Sequence, residues 1–242
     1  MDHTQDDTKA SPFFLTDLVD RFDRLNAVEV LADVVRQTTG RVVCSTSFGA
    51  EDQLITHLIA SQRLPISLFT LDTGRLFPET YSTWRSTIEQ YKISIEAFYP
   101  NAERLGAWVT EHGPDAFYTS VDLRKGCCHL RKVEPLQRAL AGAQVWITGL
   151  RAEQSPNRSG MQPVEWDAIH QVWKVHPLWH WTNEQVWEQI RLHVIPYNPL
   201  HDRGMVSIGC APCTRAVRAG EDFRAGRWWW EDASKKECGL HG

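Results

Sequence analysis

Short β-branched apolar runs alternate with segments of helical periodicity along most of this chain, and that alternation leaves few folds open to it. The runs RVVCSTSF (41–48), ISLFTLDTG (66–74), ISIEAFYP (93–100) and AQVWITGL (143–150) read as strands, and HQVWKVHPL (170–178) as a fifth. Between them, EDQLITHLIASQ (51–62) repeats Leu54, Ile55, Leu58 and Ile59 at helical spacing. PETYSTWRSTIEQY (78–91) carries Pro78 where a first helical turn accepts it. AERLGAWVTEHG (102–113) is a helix closed by Gly113, and CHLRKVEPLQRAL (128–140) is helical with Pro135 expected to kink or split it. TNEQVWEQIRLH (182–193) opens on a capping box of Thr182 and Gln185. Strand followed by helix, repeated, predicts an α/β fold: a mostly parallel, Rossmann-like sheet flanked by helices, with ligands at the carboxyl ends of the strands. RAEQSPNRSGMQPVEWD (151–167) reads as a long loop, and the chain beyond YNPLHDRG (197–204) as irregular. Residues 12–242 are expected to form one α/β domain, with 205–242 as an irregular C-terminal segment and tail.

With 242 residues, 42% of them hydrophobic, the chain can bury a core without disulfide staples. A formal net charge of −4 argues against a general nucleic-acid surface, and anion binding would need a few focused cations. No apolar run is long enough to cross a bilayer, and the acidic start MDHTQDDTKASPFF lacks the pattern of a secretory signal. The cytosol is therefore the expected compartment, and six cysteines there point to metal binding or catalysis.

Cys127 and Cys128 are adjacent in KGCCHLRK, and Cys210 and Cys213 form C-x-x-C in GCAPCTR. Two pairs supply four thiolates, enough for one tetrahedral metal site or one cubane. Neighbouring side chains diverge, which suits a bulky [4Fe–4S] cluster better than a single zinc ion; zinc and a redox disulfide remain the alternatives. Lys132 lies one helical turn after Cys128, so it can face both such a centre and an anionic substrate; a surface lysine is the plainer reading. Cys44, inside the first strand, reads as a small buried hydrophobe. That leaves Cys238, in SKKECGLHG, without a partner and with Lys235, Lys236 and His241 nearby to lower its pKa. Trp228 to Trp230 read as packing for the base of the tail.

The loop STSFGAED (45–52) presents backbone N–H groups at a helix start, where an anion can sit, and Gly49 permits a tight turn. It holds neither G-K-[ST] nor G-x-G-x-x-G. LDTGRLFPET (71–80) and ITGLRAEQSPNRS (147–159) add two further polar strand ends, so three together make one cleft. Arg151 and Arg158, each taken alone, read as solvated loop charges.

The CC pair followed by RKVEPL, then CAPC, then ECGLH, resembles the assimilatory adenylyl-sulfate (APS) reductases of bacteria and plants. SFGAEDQ and LDTGRLFPETY are similar to that family's nucleotide loops, and the likeness spans about residues 40–242. The related phosphoadenylyl-sulfate (PAPS) reductases lack the two cysteine pairs. The resemblance implies an adenine nucleotide α-hydrolase-like fold, a [4Fe–4S] cluster on Cys127, Cys128, Cys210 and Cys213, and Cys238 as nucleophile. It implies that Ser47, Phe48, Gly49, Leu71 and Gly149 line an adenosine pocket, and that Lys132, Arg158, Arg224, Arg227 and His241 meet the phosphosulfate. It further implies reduction of APS to sulfite and AMP with thioredoxin, by way of a Cys238 thiosulfonate. TSVDLRKG (119–126) departs from the family pattern, and no contact is carried over there. Three other readings stand beside this one: a reductase that also takes the 3′-phosphorylated substrate, an ATP-pyrophosphatase of the tRNA-thiolating kind, and a zinc-stapled nucleotide-binding module. The S-G-G-x-D-S loop of the second is absent. Association into a homo-oligomer is left open by the sequence.

Overall fold

The computed structural model of the chain describes residues 13–154 and 161–232. Two helices, α1 (Phe13–Phe22) and α2 (Ala27–Gln37), precede the first strand; α2 starts on a capping box between Asn26 and Glu29. There follow β1 (Arg41–Ser45), α3 (Ala50–Ser61), β2 (Ser67–Leu71), α4 (Pro78–Tyr91), β3 (Ile95–Phe98) and α5 (Ala102–His112). Next come α6 (Val121–Cys128), α7 (Glu134–Leu140), β4 (Ala143–Ile147), β5 (Val164–Asp167), β6 (Val172–Val175) and α8 (Asn183–Leu192).

The six strands lie in the order β3-β2-β1-β4-β6-β5, all parallel except the edge pair β5–β6. The chain winds outward from β1 through β2 to β3, then returns to start β4 on the other side of β1. That reversal opens a crevice at the carboxyl ends of β1 and β4, the place where open α/β sheets take ligands.

Residues alternate between two cores along each strand, as a sheet covered on both faces requires. Val42 and Cys44 face the larger core, with Leu54, Ile55, Val186 and Ile190 from α3 and α8. Val43 faces the other, with Leu136, Ala139 and Leu140 of α7 and Trp146 of β4. Cys44 is fully buried, in keeping with its reading as a small apolar side chain.

Three expectations change. The segment 151–167 is not all loop, because Val164–Asp167 forms the antiparallel edge strand β5 against β6. The proposed fifth strand shortens to Val172–Val175 and becomes the sixth. The helix expected over 128–140 splits, though not at Pro135 itself. Residues His129–Val133 form a π-helical turn, and the N–H of Glu134 reaches back to the carbonyl of His129. Pro135 then falls in the first turn of α7, where its missing N–H costs nothing. Beyond residue 200 the described chain holds two short 3-10 turns, His201–Arg203 and Ala211–Cys213, and a single antiparallel bridge between Thr214 and Arg227, as the lack of periodicity predicts.

Candidate functional site: a strand-end cleft beside a cysteine cavity

The loop after β1 is shaped by one carboxylate. Asp52, in the first turn of α3, accepts hydrogen bonds from the Ser47 backbone N–H (2.6 Å) and hydroxyl (2.7 Å). This folds Ser47–Gly49 back over the helix start. Burial pushes the Asp52 carboxyl up to about 6, against the lowering effect of the two Ser47 bonds. Phe48, at φ 61°, lies in the left-handed region and turns its ring inward to stack on Trp84 at 5.4 Å.

From the opposite side comes the turn after β4. Thr148 bonds His176 Nδ1 at 2.7 Å, and Gly149 passes so close to α3 that a Cβ there would collide with the Asp52 carboxylate and the Glu51 side chain. Glycine is thus required by the approach of the two loops rather than by its dihedrals. Between them opens a cleft lined by Ser47, Gly49, Leu71, Lys132, Gly149 and Arg224, together with His201 from the irregular segment. Six of the expected ligand-contacting residues therefore share one cleft.

Phe48 and Arg227 do not line it. Phe48 is 1% exposed and packs beneath the loop. Arg227 is buried, its guanidinium 4.7 Å from the Trp228 ring and pressed against Gly209. Arg158, Cys238 and His241 lie outside the described residues.

Arg151 is no solvated loop charge. It is 1% exposed, bonds Glu51 at 2.9 Å and Glu153 at 2.7 Å, and donates to the Trp181 carbonyl at 3.0 Å. Its donors are spent holding the β4 turn to α3 and α8, so it is a strut of the cleft rather than an anion ligand.

Cys127 and Cys128 end α6; Cys210 caps the 3-10 turn Ala211–Cys213, and Cys213 is its last residue. All four are buried free thiols, and they line one small cavity with Arg75, Phe117, Arg124, Arg131, Lys132 and Pro212. The two halves are tied together by several bonds. Tyr118 donates to the Pro212 carbonyl at 2.7 Å, Thr73 Oγ1 lies 3.3 Å from Cys210 Sγ, and the Ala211 N–H bonds the Arg75 carbonyl. Arg124, fully buried, makes a two-pronged bond to Glu231 at 3.0 and 2.7 Å and stacks over Trp228 at 4.7 Å. Arg227 lies against the same ring, so Trp228 sits between two guanidiniums.

At two of these cysteines the surroundings favour the protonated thiol. Burial raises Cys127 and pushes Cys213 up to about 12, with the neighbouring Cys210 and Cys128 adding to the latter. A cavity walled by four sulfurs and four cations suits thiolate ligation of a metal centre, the cations offsetting the charge of the thiolates. Among the described residues, no three His, Cys, Asp or Glu side chains converge to hold a single metal ion. Four buried thiols on one cavity make a donor set that suits a thiophilic metal centre.

Lys132 belongs to both cavities. It lies four residues after Cys128, within the π-helical turn His129–Val133, and reaches the cleft as well as the cysteine cavity. Sequence reasoning missed Arg75, Arg124 and Arg131, whose partners lie far along the chain. It also missed His201, which belongs to a turn without periodicity.

No helix among the described residues is long and apolar enough to cross a membrane. Comparison with known proteins now adds to the geometry. The model of the phosphoadenosine phosphosulfate reductase domain matches residues 41–216. The adenosine 5′-phosphosulfate reductase of Allochromatium vinosum is 51% identical over 215 residues, 89% of this chain and 84% of that one. Among solved structures, the phosphoadenylyl-sulfate reductase of Candida auris, a phosphate complex, superposes with a TM-score of 0.73 at 28% identity, covering 86% of this chain and 98% of that one. Yeast FAD synthetase shares the adenine nucleotide α-hydrolase-like fold alone, with a TM-score of 0.56 at 15% identity over 89% of this chain and 70% of that one. The chain is an oxidoreductase and belongs to the phosphoadenosine phosphosulfate reductase family.

Proposed function

We propose that the protein reduces adenosine 5′-phosphosulfate to sulfite and AMP in assimilatory sulfate reduction, with thioredoxin as reductant. The observation that carries this reading is the sharing of Lys132 between a strand-end cleft and a cavity of four cysteines, in a chain half identical to a named adenosine 5′-phosphosulfate reductase. Apolar Leu71, Leu136 and Trp146 suit an adenine ring, while Lys132 and Arg224 suit the phosphosulfate. Arg158 and His241 join them in this proposal on the family likeness, as does Arg227 from behind the cysteine turn.

Cys127, Cys128, Cys210 and Cys213 would hold a [4Fe–4S] cluster. When bound, such a cluster supplies a cross-link between α6 and the C-terminal segment and a fixed charge beside Lys132.

The Cys238 thiolate attacks the sulfate sulfur of APS; the S–O bond to the phosphate breaks, and AMP leaves with that electron pair. The product is Cys238–S–SO₃⁻. A thioredoxin thiolate then attacks Cys238 Sγ and expels sulfite, and the second thioredoxin thiol resolves the mixed disulfide and restores the cysteine. Thioredoxin thus supplies both electrons. Cations by the sulfate oxygens offset their repulsion of the incoming thiolate. One charge at about 4 Å contributes about 4 kcal/mol at an effective dielectric of about 20. The first step needs a closed pocket and the second needs access for a protein partner, so Cys238 has to meet both demands in turn. The cytoplasm supplies the reducing conditions this cycle requires.

The test is turnover of the purified, reduced protein with thioredoxin, reading sulfite and AMP. APS should be turned over far faster than its 3′-phosphorylated form. Equal rates would favour the dual-substrate reading, and no sulfite from either would overturn the assignment.

A further inference from the structure

Three successive residues of the turn after β4, Thr148, Gly149 and Leu150, line the cleft. A side chain from a neighbouring strand fixes that turn. His176, the residue after β6, is fully buried, and its Nδ1 lies 2.7 Å from Thr148 Oγ1. On the far side of the ring, Nε2 lies 3.6 Å from Glu165 Oε1 on the edge strand β5. Backbone bonds frame the imidazole: the Thr148 N–H donates to the Val175 carbonyl at 3.1 Å, and the His176 N–H to the Pro163 carbonyl at 2.9 Å. One buried ring thus ties the edge strand to the β4 turn.

The partners decide which nitrogen carries the proton. His176 holds the Glu165 carboxyl below the usual carboxylate range against the effect of burial, and Lys174, 3.8 Å from it, adds to this. An ionised carboxylate only accepts, so the neutral ring places its proton on Nε2, toward Glu165, and leaves Nδ1 as an acceptor. The Thr148 hydroxyl then donates to Nδ1 and keeps its oxygen for the turn, where the Leu150 N–H lies 3.4 Å away. The other end of the turn is pinned by Arg151, which bonds Glu51 and the Trp181 carbonyl. Gly149 and Leu150 are strung between these two anchors, with Gly149 pressed against Glu51 and Asp52.

We propose that His176 is a positioning residue for the nucleotide: acting through Thr148, it holds the β4 turn in the shape that receives the ligand. It touches no ligand atom itself. A turn already ordered before binding spares the ligand the cost of ordering it, so affinity depends on this buried bond. The proposal rests on the reading of the cleft as the adenylyl-sulfate site. Lys132 and the four cysteines belong to α6, the π turn and the C-terminal segment, so the tie should govern binding of the nucleotide more than the chemical step.

The experiment measures AMP affinity and APS turnover on the full-length, cluster-loaded protein. The variants are His176→Phe, His176→Asn, His176→Gln, Thr148→Val and the double change His176→Phe with Thr148→Val. His176→Phe keeps a ring and removes both nitrogens. It should bind AMP about 10-fold more weakly, as the loss of one buried hydrogen bond implies. KM for APS should rise by a similar factor while kcat changes by less than about 2-fold, and iron content should stay as in wild type. Asparagine can set its amide where Nδ1 lies, so His176→Asn should recover most of the affinity; the glutamine amide falls nearer the Nε2 position, and His176→Gln should not. Thr148→Val, of the same shape, should reproduce the loss, and the double change should be no worse than either alone. Should His176→Phe fail to fold, Thr148→Val and the Asn–Gln pair carry the test. Wild-type AMP affinity in Thr148→Val, equal behaviour of the Asn and Gln variants, or losses that add in the double change would each overturn the proposal while leaving the function intact. Failure of the wild type to bind AMP at all would bring down the reading of the cleft itself.

Discussion

The cleft and the cysteine cavity share a wall at Lys132 but are built in opposite ways. The cleft is made from the ends of regular elements. Ser47, Gly49 and Asp52 lie within one β1–α3 turn, and the sheet alone sets them opposite Gly149. The cavity is made from an irregular turn at Cys210–Cys213 and the end of an eight-residue helix, with no strand between them. What holds those pieces is a small number of long-range polar ties and two stacked guanidiniums on Trp228. A site carried by a sheet should survive local damage, whereas one carried by a few buried bonds should not.

The comparison breaks most sharply at the cysteines. Cys210→Ala should abolish iron binding and the visible absorbance of the purified protein while leaving the far-ultraviolet circular dichroism of the sheet intact; an unchanged iron content would remove Cys210 from the ligands. The next largest effect is expected at Arg124→Ala, which strands the buried Glu231 carboxylate and removes one face of the Trp228 stack. Breaking a buried pair from one side costs about 3–5 kcal/mol, so denaturant unfolding should shift by that amount. A shift below about 1 kcal/mol would show the pair to be dispensable.

Within the cleft, Gly149→Val should be milder for stability, at about 1–3 kcal/mol, because the β4 turn can yield. It should nevertheless weaken AMP binding clearly, since the two loops would be forced apart; unchanged binding would mean that their close approach has no bearing on the ligand. The smallest effect belongs to Thr182→Ala, which removes the cap that bonds the Gln185 N–H at 3.2 Å and should cost about 1 kcal/mol with no change in binding or iron.

The same contrast explains what could be read from the chain beforehand. The strands β1 to β4, helices α3 to α5 and the Thr182 cap are legible because their signals are local: apolar spacing, Pro78, Gly113, a capping pair. The strand β5 was not, since Val164–Asp167 is only four residues long and follows a Gly-, Pro- and Ser-rich stretch. Arg151 read as a solvated loop charge, and Arg124 gave no signal at all, because Glu51 and Glu231, which pair with them, lie about a hundred residues away. Helix α6 carries Lys, Arg, Gly and two cysteines in place of an apolar stripe, so its periodicity is hidden by the residues that line the cavity. The cysteine pairs themselves were plain from their spacing; the cationic shell around them was not.

The reaction assigned here turns on whether a cysteine of this chain takes the sulfonate from the nucleotide. Mass spectrometry of the peptides after mixing the reduced protein with adenosine 5′-phosphosulfate, without thioredoxin, asks this directly. The account predicts one SO₃ adduct on the peptide carrying Cys238, about one AMP released for each adduct, and loss of the adduct as sulfite when thioredoxin is added. AMP formation with that peptide unmodified would contradict it.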